Sequence, residues 1–206
     1  MNERVLLLLG GQYHDFDGFE RTLGPVLREA GYQVEATYDL ERLARLEPDT
    51  VDAVLLYTCF GEGSGFSAAQ SMALAGWVQQ GGGLLAAHAA TVSAKADATL
   101  RQLMGAAFIH HPPQFNFTVV PVAREHPVIS GVEAFTVHDE FYVQSYEPGL
   151  DVHMVACDRG LCYPMVWSKL YGRGKTVHVA PGHGLPTWTQ PAYQQLMVQA
   201  LAWLCS

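Results

Sequence analysis

The sequence predicts a three-layer α/β fold, in which helices cover both faces of a mostly parallel sheet. Two patterns indicate this class. Through the first half of the chain, short aliphatic runs such as Val5–Leu9 alternate with apolar residues at helical spacing. In the second half, strand-like runs follow one another closely, which predicts an antiparallel extension of the sheet. A length of 206 residues suits one hydrophobic core, so we expect a single domain over residues 1–206.

The elements are predicted in chain order from these patterns. The first half contains four strands, with helices after the first and third of them: Val5–Leu9, Gln33–Thr37, Val51–Tyr57 and Gly83–Ala87. The second half contains three further strands and a hairpin whose turn spans residues 171–175: Phe115–Val120, Phe141–Ser145, Val152–Cys157, Met165–Leu170 and Thr176–Ala180. Pro191 suits the first position of a closing helix, where a missing N–H costs nothing.

Composition excludes several function classes. Twelve basic residues against 20 acidic ones give a net charge of -8, so nothing favours binding to nucleic acid or to an anionic membrane. Val5–Leu9 is too short for a signal-peptide core or a membrane span. The four cysteines form no dense disulfide framework, which favours a reducing cytoplasm. The low proportion of charged residues, 16%, is compatible with a homo-oligomer.

Polar and aromatic side chains concentrate directly after the predicted strands. In parallel sheets, ligands bind beyond the carboxyl ends of the strands, so these are the candidate site residues. They are Tyr13, His14, Asp15, Phe60, His88 and His183. We expect the imidazoles of His14, His88 and His183 to converge at one edge of the sheet, where they would face a small-molecule ligand.

Two further segments add groups of the same chemistry. His110 and His111 precede two prolines, which would hold an imidazole in a defined direction, and the choice between the two histidines stays open. Glu140 offers a carboxylate, whereas Asp139 is interpreted as a solvated loop residue. Imidazole and carboxylate together serve either as general acid and base or as ligands of a divalent metal such as zinc. No H-E-x-x-H spacing decides between the two.

Other candidates are interpreted structurally. His153 and His178 lie within strand patterns, and His126 precedes a proline in a turn. Cys59 is disfavoured as a nucleophile, because no histidine adjoins it in the sequence. The glycine-rich stretch at residues 61–65 lacks the G-K-[ST] ending of a phosphate-binding loop and is predicted to form the rim of a pocket.

An ordered set of motifs over nearly the whole chain resembles the ThuA-like, or trehalose-utilisation, family. The set comprises Gly10-Gly11 with His14-Asp15-Phe16, Gly81-Gly82-Gly83-Leu84 leading to His88, Phe108 with His111-Pro112-Pro113, His126-Pro127-Val128, Asp139-Glu140-Phe141-Tyr142, Pro164-Met165-Val166-Trp167, Gly172-Arg173-Gly174-Lys175, and Gly182-His183. The resemblance implies a flavodoxin-like fold similar to class I glutamine amidotransferases. It also implies pocket residues at His14, Asp15, His88, His111, Glu140 and His183.

Two functions compete. The first is an enzyme of sugar utilisation, a hydrolase, lyase or isomerase, in which His88 or His183 abstracts a proton with Glu140 as partner. In this hypothesis His14, His88 and His111 are the expected metal ligands, and Tyr13, Phe60, Tyr142 and Trp188 would offer flat faces to a sugar ring. Glutamine hydrolysis is not expected, because His88 occupies the place of the amidotransferase cysteine. The alternative is a non-catalytic ligand-binding or assembly protein on the same scaffold.

Overall fold

The computed structural model describes residues 3–61, 65–122 and 125–206 of the chain. The predicted rim at residues 61–65 therefore lies partly outside the described residues. The strands are β1 (Arg4–Gly11), β2 (Gln33–Thr37), β3 (Ala53–Cys59), β4 (Gly83–Ala87), β5 (Ala106–His110), β6 (Phe115–Pro121), β7 (Phe135–Asp139), β8 (Val143–Tyr146), β9 (Asp151–Asp158), β10 (Leu161–Tyr171) and β11 (Gly174–Val179). The α-helices are α1 (Phe16–Glu29), α2 (Ala68–Gln79), α3 (Ala98–Met104), α4 (Leu185–Trp188) and α5 (Pro191–Leu204). Short 3-10 segments cover Leu40–Arg45, His88–Lys95 and Pro127–Ile129.

A nine-stranded mixed sheet organises the molecule. Its strand order is β2-β1-β3-β4-β11-β10-β9-β6-β7, and β5 pairs with β8 in a separate two-stranded sheet. The five strands from β2 to β11 run parallel, whereas β10, β9, β6 and β7 join in antiparallel pairs. The prediction of a mostly parallel sheet thus holds at one end only, because the antiparallel extension contributes as many strand pairs as the parallel part.

The uninterrupted apolar run of β1 reflects burial on both faces of the sheet. Val5, Leu7 and Leu9 point into one hydrophobic core, and Leu6 and Leu8 point into the other. All five are at most 2% exposed. A strand covered by helices on both sides loses the alternation of apolar and polar residues that marks a half-exposed strand. The two cores hold the carboxyl ends of the parallel strands at one edge.

The helix boundaries follow from capping chemistry. The Asp15 carboxylate accepts the amide N–H of Gly18 at 2.8 Å and caps α1. Ser67 and Gln70 form a reciprocal capping box at the start of α2. Pro191 is the first residue of α5, as its position predicts. Among the described residues, no helix is long and apolar enough to cross a membrane.

The second half of the chain departs from the predicted elements. Strands β5 and β7 were not predicted, and the predicted strand at Phe141–Ser145 begins only at Val143. Phe141 and Tyr142 instead lie in the connection between β7 and β8, where both are buried. Their aromatic character, typical of strands, serves here to fill the core beneath a loop.

The hairpins are tighter than the sequence indicates. Strand β10 runs to Tyr171 and β11 starts at Gly174, so the turn holds two residues rather than five. A disulfide, which the cysteine spacing does not predict, joins Cys157 and Cys162 across the β9–β10 hairpin. Arg159 and Gly160 form its turn with φ of 48° and 82°, the left-handed conformation that two-residue hairpins require.

Candidate functional site

Four side chains converge at the sheet edge where the parallel strands end. His14 follows β1, His88 follows β4, and His183 follows β11, while Glu140 follows the antiparallel strand β7. One ring nitrogen or carboxylate oxygen from each lies within 4.8 Å of every other. The imidazole centroids are 4.8 to 5.6 Å apart. The predicted convergence of three histidines is therefore present, with a carboxylate among them.

His88 forms the buried floor of the site. It comes directly after β4 with φ of 47°, a left-handed conformation that is costly for a residue other than glycine. This sharp turn directs the ring to the carbonyl of Ala180, which accepts a hydrogen bond from Nδ1 at 2.7 Å. Because Nδ1 carries the proton, the Nε2 of a neutral His88 presents a lone pair. That atom lies 3.4 Å from Oε2 of Glu140.

The tautomer of neutral His14 is fixed in the same way, by a hydrogen bond from Nδ1 to a backbone carbonyl. Its Nδ1 donates to the carbonyl of Gln12 at 3.0 Å, a contact made across Tyr13, whose φ is 70°. Burial, together with the electrostatic effect of nearby His88, lowers the pKa of His14 to about 3. The ring is therefore neutral at physiological pH. Its Nε2 is buried and has no hydrogen-bond partner among the described residues.

His183 lies on the loop that follows β11. Its Nδ1 is 3.2 Å from Oε2 of Glu140, within ion-pair distance but outside hydrogen-bond geometry. The interaction with Glu140 raises the pKa of His183, although burial opposes it. The loop turns at Gly182, whose φ is 141°. A side chain is disfavoured there, because a Cβ would lie 2.7 Å from the Tyr193 hydroxyl.

Glu140 is the common partner of the histidines. Burial alone would raise its pKa, but the imidazoles of His183 and His88 outweigh that effect and hold the pKa well below the usual range. The side chain is therefore a carboxylate at neutral pH. Its second oxygen, Oε1, lies 3.5 Å from Nε2 of His111.

The donor set fits a divalent cation. His14 Nε2, His88 Nε2 and His183 Nδ1 are all buried without a hydrogen-bond partner among the described residues, and they face one carboxylate. Such unsatisfied nitrogens are costly unless something accepts their lone pairs. Metal-binding histidines typically donate their other N–H to a backbone carbonyl, as His14 and His88 do. Three imidazoles and a carboxylate suit zinc or a similar transition metal.

The structure distinguishes His111 from His110. His111 reaches Glu140 from the half-exposed side of the site, and its Nδ1 donates to the carbonyl of Pro112 at 2.9 Å. His110 lines a separate cleft beside Phe141. His111 lies outside the group of four, so His183 and Glu140, rather than His111, join His14 and His88 as the candidate ligands.

The predicted aromatic contacts take different roles. Tyr142 and Trp188 are only 2% exposed, so neither offers an open face to a sugar, contrary to expectation. Tyr142 packs 4.4 Å from the ring of His88, and Trp188 donates to the carbonyl of Gly182 at 2.7 Å. Phe60 packs edge-on against Phe66, at 5.3 Å. Tyr13, by contrast, is 84% exposed.

Asp15, Asp139 and Cys59 are not among the four clustered side chains. The Asp15 carboxylate caps α1 through the amide of Gly18 and lies 3.6 Å from the guanidinium of Arg21. Asp139 is fully buried, so its interpretation as a solvated loop carboxylate is wrong. Burial and the charge of Glu140 raise the pKa of Cys59 to about 11. A thiol that stays protonated at neutral pH is not an activated nucleophile.

The fold and the site together define an α/β protein with a three-histidine, one-glutamate centre at the edge of its sheet. The ThuA family, described as trehalose utilisation, matches residues 4–204, and the chain belongs to this family. None of the curated proteins matches the sequence.

Solved structures share the fold. A ThuA-like protein from Parabacteroides merdae superposes with a TM-score of 0.84 at 17% identity, over 100% of this chain and 91% of its own. A cytoplasmic protein from Salmonella typhimurium LT2 gives 0.72 at 16% identity, over 98% and 99% of the two chains. A cold-adapted β-galactosidase from Rahnella sp. R3 gives 0.68 at 16% identity, over 98% of this chain but 31% of its own.

Proposed function

We propose that this protein is a metal-dependent enzyme of carbohydrate utilisation, acting on a sugar or an oxidised sugar, with the metal bound by His14, His88, His183 and Glu140. The observation that carries the proposal is the buried Nε2 of His14, which has no hydrogen-bond partner among the described residues. The ring is neutral, its other nitrogen is committed to the Gln12 carbonyl, and Nε2 is buried with no protein partner among the described residues. A cation would satisfy it, together with the matching nitrogens of His88 and His183.

The chemistry follows from the groups around the centre. A divalent cation there supplies a Lewis acid for a sugar carbonyl or hydroxyl. His111, which is half-exposed beside Glu140, is placed to hold a proton at Nε2 and exchange it with a ligand. Tyr13, at 84% exposure next to His14, is an aromatic residue available to stack on a sugar ring. The description of the family as trehalose utilisation supports a sugar as the substrate class.

A metal-free acid–base enzyme is the second candidate. The contact of His183 with Glu140, 3.2 Å apart, favours it, because the raised pKa of His183 favours the imidazolium form that a general acid requires. In that case His14 Nε2 would bind water or substrate rather than a cation.

The scaffold and location belong to the same proposal. The order β2-β1-β3-β4 supports a flavodoxin-like scaffold of the class I glutamine amidotransferase type. The similarity to a cytoplasmic Salmonella protein supports a cytoplasmic location, whereas the Cys157–Cys162 disulfide is more typical of oxidising compartments.

Elemental analysis of the purified protein tests the metal. We expect about one transition-metal ion per chain in the wild type and almost none in His14→Ala. His138→Ala is the matched control, because His138 is an exposed histidine two residues from Glu140 whose Nδ1 bonds Asn116. If the wild type contains no metal after supplementation with zinc, manganese or iron, the proposed metal centre is overturned and the acid–base alternative remains. Proton NMR of incubations with trehalose and with carbonyl-bearing sugars then tests the substrate class.

A further inference from the structure

Asp139 is the most completely satisfied carboxylate near the site. It is 0% exposed, and its two oxygens accept four donors. The amide N–H of Glu140 donates to Oδ1 at 2.7 Å, the amide of Gly182 donates to Oδ2 at 2.9 Å, and the amide of His183 is shared between both oxygens at 3.1 and 3.2 Å. The hydroxyl of Thr187 donates to Oδ2 as well.

These donors join two distant parts of the chain. Gly182, His183 and Thr187 lie 43, 44 and 48 residues beyond Asp139, on the loop and helix that follow β11. The other donor is the backbone of Glu140 itself. One carboxylate therefore fixes the main chain at two of the four candidate ligands, which come from different strands.

Helix caps elsewhere in the protein provide a contrast. Asp15 and Asp97 each accept the amide three residues further on, at 2.8 and 3.0 Å, and so stabilise the start of their own helix. Asp97 also accepts the Ser71 hydroxyl. Asp139 makes no such local cap, since its amide donors are its direct neighbour and residues more than forty positions away.

The charge of Asp139 adds to the effect of its geometry. The four donors described above are all uncharged, so they stabilise the carboxylate without cancelling its charge. A buried negative charge beside a cluster of nitrogen and oxygen donors raises the affinity of that cluster for a cation.

We propose that Asp139 is a positioning residue of the site: its buried carboxylate holds the backbones of His183 and Glu140 together, so that their side chains bind one cation. This inference rests on the proposed metal centre. Outer residues that orient metal ligands typically change metal affinity about 10- to 100-fold when they are removed.

Cobalt titration, followed by visible absorption, tests the proposal. In Asp139→Asn, which keeps the shape but loses the charge and turns an acceptor into a donor, we expect Co²⁺ binding to weaken about 10- to 100-fold. Thr187→Val removes one donor only and should weaken binding by a smaller factor, which keeps the test available if Asp139→Asn does not fold. Asp97→Asn is the matched control, because the Asp97 carboxylate caps α3 and accepts the Ser71 hydroxyl, and neither contact involves a candidate metal ligand. Its Co²⁺ affinity should equal that of the wild type, even where its melting temperature falls.

The outcomes separate the two proposals. Unchanged Co²⁺ affinity in both Asp139→Asn and Thr187→Val, with melting temperatures lowered as in Asp97→Asn, would overturn the positioning role and leave the metal centre intact. If the wild type binds no Co²⁺, the metal centre fails, and the ¹⁵N shifts of the His183 ring in the metal-free protein decide instead. Shifts that move in Asp139→Asn but not in Asp97→Asn would support positioning of His183 against Glu140, and unmoved shifts would refute it.

Discussion

Two groups of histidines with a carboxylate lie in different parts of the protein, and Nδ1 of His126 in one group is bonded in the opposite way to Nδ1 of His14 and His88 in the other. The first is the group of four described above. The second consists of His126, Asp151 and His153, whose potential ligand atoms also lie within 4.8 Å of one another. Distance alone does not distinguish the two groups.

Hydrogen bonds at Nδ1 do distinguish them. In the first group, the Nδ1 atoms of His14 and His88 donate to backbone carbonyls, so the Nε2 of each ring, when neutral, has a lone pair for a cation. In the second group, Nδ1 of His126 accepts the amide N–H of Val128 at 3.2 Å, so a neutral His126 carries its proton on Nε2. His126 also stacks on His153 at 4.0 Å and meets Trp203 at 4.9 Å. Nδ1 of His126 is therefore engaged as a cap, whereas Nδ1 of His14 and of His88 donates its proton to a carbonyl.

Chelation should produce the largest difference between the two groups. An ion present at about 1,000 times its Kd stabilises the folded state by about 4 kcal/mol. At roughly 2–4 °C per kcal/mol for a chain of this size, EDTA should lower the melting temperature of the wild type by roughly 10 °C. His126→Ala should show the same decrease and His14→Ala none. If EDTA strips a bound ion from the wild type without changing its melting temperature, the first group does not hold that ion in the folded protein.

A histidine outside both groups sharpens the comparison, because its ring nitrogens have no hydrogen-bond partner among the described residues. His178 is 1% exposed in β11, stacks on Trp167 at 4.3 Å, and has no hydrogen-bond partner among the described residues at either nitrogen. Burial, with a smaller electrostatic effect of His88, lowers its pKa to about 3. The interpretation of His178 and His153 as structural residues stays a prediction, because His88 in the candidate site is buried to the same extent.

Acid should therefore destabilise the protein through His178. The unfolded chain binds a proton with a pKa near 6.5 and the folded chain near 3, so stability falls as the pH drops below about 6.5. From pH 7 to pH 5 this group alone should cost about 2 kcal/mol. His178→Phe removes that loss, while its stability at pH 7 stays within about 1 kcal/mol of the wild type. Urea unfolding at both pH values measures this, and equal losses in the two proteins would contradict it.

The sequence predicted where the site residues lie better than it predicted which ring nitrogens carry a proton. Strand ends placed His14, His88 and His183 together because parallel strands share one edge, and this follows from the apolar runs alone. The tautomer of His88, however, depends on the carbonyl of Ala180, 92 residues away. No local pattern contains that contact.

Strand β7 was missed for a different reason. Phe135, Val137 and Asp139 are buried while Thr136 and His138 are exposed, which is the alternation of a half-covered strand. Only two apolar residues carry the pattern, and its third inward position is a carboxylate. The burial of Asp139 depends on the amides of Gly182 and His183, and no local pattern shows that this loop contacts β7. An alternating pattern that ends in an acidic residue is the signal that could have indicated a buried Asp139.

The smallest change in stability is expected at His126. Its Nδ1 accepts an amide N–H, whereas Nδ1 of His14 and of His88 donates to a carbonyl. His126→Ala should lower the free energy of unfolding by about 1–2 kcal/mol, because it removes the cap on the Val128 amide and the contact with Trp203. His126→Asn retains an acceptor for that amide and should recover about 1 kcal/mol. Chemical denaturation gives these differences, and elemental analysis of the same samples should show unchanged metal content. A loss of metal in His126→Ala would instead make the second group a ligand site, and the bonding of Nδ1 would no longer separate the two.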